Sequence, residues 1–175
     1  MRRALLIALA SLCQLGCDRV YYPPPPQKTP QKHTVEMLLD MTAGRPAEAW
    51  GSIVSGIHKG GAPGADWRWT GDRAVFRFIP GVASGWSVAA HLTAAQPVLD
   101  KTGPQQVSFE VNGEPVGSAT LDVSRRYDLT FPVGPDLMGS GTVELRMMVT
   151  PCVPAQYSPP YCVLLHSIGF ERDSR

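Results

Sequence analysis

Trp67 and Trp69 stand two residues apart in the run Asp66-Trp67-Arg68-Trp69. Side chains alternate between the two faces of an extended chain, so an extended segment would put both indoles on one side. Exposed, they would offer flat apolar surfaces to sugar rings, and Asp66, Arg68 or Arg73 could hydrogen-bond the hydroxyls. Buried, they would fill a core, where large aromatics carry much of the burial. The sequence leaves both readings open. Trp67, Trp69, Asp66, Arg68 and Arg73 are the candidate ligand-binding residues.

Patterns that do covalent or metal chemistry are missing. His33, His58, His91 and His166 fall in no HxH or HExxH spacing, so no metal site is expected. There is no GxSxG, and Ser140 sits between Gly139 and Gly141 in a turn rather than a strand-to-helix elbow. Glu110, Glu114, Asp122 and Asp128 surround a hairpin, whereas a glycosidase needs two carboxylates facing each other across a cleft. Surface positions on strands account for these acids, and a hydrolase is the least favoured reading. The loop Gly60-Gly61-Ala62-Pro63-Gly64 has no following lysine or helix start and is no phosphate cradle. The expectation is a chain that is not an enzyme and takes no cofactor.

Charge narrows the partners. Lys plus Arg number 16 against 15 Asp plus Glu, which gives no basic stripe of the kind nucleic acid requires. Gly and Pro each occur 17 times in 175 residues, a turn-rich composition that favours many short strands over long helices.

The N-terminus addresses the chain. Met1-Arg2-Arg3 is a short positive region, and Ala4 to Leu12 is apolar but far below the roughly 20 residues a spanning helix needs. The following Gln14-Leu15-Gly16-Cys17 resembles a bacterial lipobox, with a small residue directly before the cysteine and Gln14 where an aliphatic residue is usual. That resemblance implies a signal peptide over residues 1–16 and a lipidated Cys17, hence a palmitate-bearing membrane anchor. Two or three acyl chains would hold it stably, at about 0.8 kcal/mol per buried methylene. Residues 17–33 then read as a tether, because four consecutive prolines, Pro23 to Pro26, favour an extended polyproline II chain. Residues 34–175 form the single domain.

Within that domain short alternating runs are bounded by glycine and proline. Val107, Phe109 and Val111 alternate with polar residues and lead into Asn112-Gly113, the strongest short-range hairpin signal. Val116 to Val123 reads as the returning arm. Leu129-Phe131-Val133, Val143-Leu145-Met147-Val149, Val75 to Ile79, Trp86 to Leu92 and Cys162 to Phe170 read as further strands. Met37, Leu38 and Met41 have helical spacing, although the segment could equally supply a first strand. The fold class is all-β, a single β-sandwich or jelly roll. Cys152 and Cys162 remain after Cys13 and Cys17 are assigned to the N-terminus. An exported chain lies in an oxidising compartment, so a disulfide between them is expected.

The order of WRWTG, AVFRF, VSFEVNGEPVG, VELRMMVTPCVP and LHSIGFE resembles a galactose-binding-like β-sandwich module found in bacterial surface-glycan proteins. The resemblance covers roughly residues 50–172, implies a sandwich with carbohydrate association, and carries no catalytic residue. The leading expectation is therefore a noncatalytic lipoprotein of the bacterial cell envelope, exported and membrane-anchored, binding glycan or another envelope component. The alternative is a structural or protein-interaction module of the same envelope.

Overall fold

A computed structural model describes residues 33–42, 51–59, 64–80, 85–155 and 160–174. The chain divides into two units, Met1–Gln31 and Lys32–Arg175, and every described residue belongs to the second. The signal segment, Cys17 and the prolines of the tether lie outside the described residues, as does Trp50.

Nine strands make the domain: β1 His33–Asp40, β2 Gly51–Ile57, β3 Arg68–Phe78, β4 Trp86–Thr93, β5 Gln105–Val111, β6 Glu114–Leu121, β7 Arg126–Pro132, β8 Val143–Thr150 and β9 Leu164–Ser174. One layer runs β1-β9-β4-β7 and the other β2-β3-β8-β5-β6, all neighbours antiparallel. The chain is a β-sandwich, as its alternation predicts. Phe78 meets Phe170 across the layers at 5.2 Å between ring centroids, and Phe109 meets Phe131 at 5.4 Å. Every second residue of β5 and β8 is buried, which removes about 1.5–3 kcal/mol of apolar exposure for each large side chain.

The β5–β6 hairpin turns as its sequence requires. Asn112 and Gly113 both take positive φ, 52° and 90°, the geometry of a primed turn. Asn112 also fastens the hairpin to its neighbours, donating from Nδ2 to Leu137 O and accepting at Oδ1 from Glu144 N–H.

Two elements escaped the sequence reading, and a third settles an alternative it left open. The helical spacing of Met37, Leu38 and Met41 does not produce a helix. Residues 33–40 form β1, with Leu39 and Met41 buried, because a period of two and an open ladder on β9 outweigh three suggestive positions. The ladder also takes in His33, which the sequence placed in the tether. Strand β2 was not legible, since Ser52 to Ser55 are all exposed and leave no alternation to read. The short helix α1, Gln96–Thr102, buries only Val98 and Leu99 and stops at Gly103, too brief for a helical period to show.

Strand β3 belongs to both layers. Arg68 and Trp69 pair with Leu165 and Leu164 of β9, whereas Arg73 to Phe78 pair with β8. Between them the chain bulges. Ser55 of β2 pairs with Val75 and Ile57 with Thr70, so two steps of β2 answer five of β3. Bulges bend a strand and re-aim its side chains. This one delivers the tryptophan segment to the β9 layer.

Candidate functional site: an aromatic wall beside the disulfide

Trp69 pairs directly with Leu164 of β9, Leu164 with Thr93 of β4, and Thr93 with Arg126 of β7. Directly paired residues share a sheet face. The adjacent row holds Leu165, Leu92 and Tyr127, all buried in the core. The Trp69 row therefore faces outward, and Trp67, two residues earlier, lies on the same side.

Neither tryptophan belongs to the core; both are half-buried. Their rings meet edge to face at 6.2 Å, and Trp69 meets Tyr161 edge to face at 5.5 Å. Tyr161 stacks in turn on His58, at 4.5 Å and 16° between planes. Trp67, Trp69, Tyr161 and His58 thus form one continuous aromatic wall, each contact within the range where ring pairs attract beyond their buried area.

Backbone bonds and a covalent link hold that wall. Cys152 and Cys162 form the expected disulfide, with an S–S distance of 2.07 Å. Inside it Val153 and Tyr161 exchange backbone hydrogen bonds of 3.0 and 2.9 Å. The loop is fixed to the β3 crossing point: Cys162 N–H donates to Thr70 O, and Thr70 N–H donates to Val163 O. Thr70 is fully buried and its hydroxyl accepts a further bond from Val163 N–H. His58 is tied on two sides, its N–H to Trp69 O at 3.0 Å and its Nε2 3.1 Å from Pro160 O.

The polar candidates are divided among different tasks. Asp66 reaches toward His166, with Oδ2 3.5 Å from Nδ1, and the other ring nitrogen of His166 lies 3.0 Å from Thr93 Oγ1. Arg68 does not present its guanidinium beside the indoles. It alternates to the other face and donates from Nε to Met41 O at 3.1 Å, closing the end of β1 onto β3. Arg73 lies beyond the bulge in the other layer, paired with Met148, and is exposed there. Asp66 therefore stays with the tryptophans and Arg73 is carried away. Sequence proximity misplaced the two arginines because alternation and a bulge intervene.

Three of the acids around the hairpin have partners. Glu110 pairs with Arg146 at 3.6 Å, and Asp122 lies 3.2 Å from the Tyr127 hydroxyl. Asp128 meets His91 at 2.6 Å and Arg126 at 3.4 Å. The hydrogen bond from His91, helped by the charge of Arg126 and opposed by slight burial, holds the Asp128 carboxyl below its usual range. Among the described residues no group of three His, Cys, Asp or Glu is arranged to hold a metal. A shallow cavity of about 450 Å³ flanks the disulfide, lined by Asp72, Val149, Thr150, Pro151, Cys152, Pro154, Ala155 and Pro160. It contains no ring of the wall.

His58 and Tyr161 escaped the sequence reading. The one signal for Tyr161 was its place beside Cys162, inside a loop whose closure was expected. Nothing marked His58.

No protein-family model and no curated protein matches the sequence. Among solved structures, dimeric latent PorU from Porphyromonas gingivalis superposes with a TM-score of 0.44 and 13% identity, over 82% of this chain and 13% of that one. A CBM35 module from Paenibacillus barcinonensis gives 0.42 and 14%, over 77% and 98% of the two chains. A family 35 carbohydrate-binding module from Clostridium thermocellum gives 0.41 and 11%, over 78% and 98%. Likeness at this level carries no weight on what the chain binds.

Proposed function

We propose that this chain is a noncatalytic carbohydrate-binding module, exported and held at a bacterial cell envelope by lipid on Cys17. The observation that carries the binding reading is the half-exposed wall of Trp67, Trp69, Tyr161 and His58. Binding sites combine apolar and aromatic surface with a few placed polar groups, and Asp66, His166 and Thr93 stand beside these rings. The wall lies outside the core, so stabilising the sandwich is not its main effect. An aromatic anchor at a binding surface commonly accounts for about 2 kcal/mol or more when truncated.

Glycan-array binding followed by calorimetry tests this reading. Trp69→Ala and Tyr161→Ala should each abolish measurable binding, while Ile53→Ser on β2 should leave it unchanged. Binding that survives Trp67→Ala and Trp69→Ala together removes the wall as the site. Mass spectrometry of the mature N-terminus tests the anchor, and an unmodified Cys17 leaves a secreted module instead.

One observation favours a second reading as a protein-interaction module. Among the described residues β2 is paired only with β3, and it exposes Ile53 (39%) and Val54 (45%). An apolar strand with an open edge is a template for adding another strand. Co-purification of an envelope protein that is lost on Val54→Lys would support it.

A further inference from the structure

We propose that Asp66, His166 and Thr93 act together as one polar reader beside the wall, selecting a neutral pyranose whose hydroxyls are unsubstituted. This rests on the carbohydrate reading above and deepens it.

The geometry starts from a bulge. His91 of β4 pairs with Ser167 and Leu92 with Leu165, so His166 is an extra residue in β9. Without the bulge, strict alternation could not turn both His166 and Ser167 away from the buried Leu165. Released from the ladder, the imidazole bridges a loop residue and a β4 residue. Nε2 lies 3.0 Å from Thr93 Oγ1, and Nδ1 lies 3.5 Å from Asp66 Oδ2. Nδ1 is a buried atom without a hydrogen-bond partner, while 70% of the Asp66 side chain is exposed. Thr93 stands two strands from Trp69 in the same outward row, about 10 Å away at the usual strand spacing. A sugar resting on Trp69 would overhang Leu164 and extend toward Thr93.

Polarity follows from the order of the groups. The Asp66 carboxylate favours the tautomer with its proton on Nδ1, which leaves Nε2 to accept the Thr93 O–H. Thr93 Oγ1 and the Asp66 carboxylate then both face a ligand as acceptors, separated by the imidazole. They suit two hydroxyl donors on different edges of one sugar ring. O-acyl or O-methyl groups have no hydrogen to give, and a uronate would meet the Asp66 charge.

The test is calorimetric titration of the full chain with neutral gluco- and galacto-oligosaccharides, their O-acetylated forms and oligouronates. Thr93→Val and Asp66→Asn should each weaken binding of the neutral sugars about tenfold. Thr93→Ser should retain it, which separates a lost hydroxyl from a disturbed strand. Acetylated sugars and uronates should bind at least tenfold more weakly. Equal binding of free and acetylated sugars, or wild-type affinity in both Thr93→Val and Asp66→Asn, overturns the reader and leaves the wall intact as a site. Failure of the wild-type chain to bind any of these sugars overturns the carbohydrate reading and the reader with it.

Discussion

Gly56 of β2 is packed against the carbonyl of Arg73 in β3, so closely that a Cβ there would overlap that oxygen and stand 2.5 Å from the Ala74 Cα. Gly56 also takes φ of +80°, a conformation that side chains rarely adopt. This contact lies at the register shift between β2 and β3. Gly56→Ala should cost about 2–4 kcal/mol and disturb the tryptophan environment together with it. Denaturant titration with near-UV circular dichroism checks both; wild-type stability would mean that the bulge accommodates a side chain.

Closing the loop between Cys152 and Cys162 should contribute about 3 kcal/mol. A Cys152→Ser, Cys162→Ser double variant should therefore unfold at a lower denaturant concentration. It should also leave Tyr161 more accessible to a fluorescence quencher, because the crosslink brackets the residues that carry its backbone pairing with Val153. Unchanged quenching would show that the backbone pairing alone holds the wall.

Much of the architecture was legible because it is local. The β5–β6 hairpin needs only an alternating arm and Asn112-Gly113, and both lie within one short window of sequence. The wall is different. Trp67 and Trp69 announce themselves by spacing, but His58 and Tyr161 join them only through the crossing of β3 and the folding back of the disulfide loop. The bulges at Gly56 and His166 decide which side chains face outward, and a bulge leaves no trace in a period of two. The partner of Arg68 was hidden for the same kind of reason, since it is the Met41 carbonyl at the end of another strand.

Asp128 links stability to acidity. Its carboxyl is held below the ordinary value of 3.8, chiefly by the hydrogen bond from His91. A depressed folded-state value means the stabilisation is present above the ordinary carboxylate value and is lost as pH falls through the lower one. The side chain is 64% exposed, so solvent screening keeps the effect below about 1 kcal/mol. Asp128→Asn should reduce stability slightly at pH 7 and narrow the difference between pH 7 and pH 3. Parallel urea melts at the two values measure this directly.

Tyr127 latches the turn before β7. Its hydroxyl lies 3.0 Å from Val123 O and 3.2 Å from Asp122, and accepts from Val123 N–H at 3.2 Å. Arg125 sits 4.5 Å over the ring. Tyr127→Phe should cost about 1 kcal/mol and speed amide exchange at Val123, leaving the wall untouched. Unchanged exchange would show that the turn holds itself.

Strand β1 has a mechanical consequence. Its eight residues run antiparallel along β9 from His33, where the proposed tether would join, to Asp40, beside the Met41 carbonyl that Arg68 clamps. An anchor upstream of His33 and a ligand on the wall would pull from opposite ends of that ladder. The load would then run along the strand, so that the rungs resist together in shear instead of opening one after another like a zip.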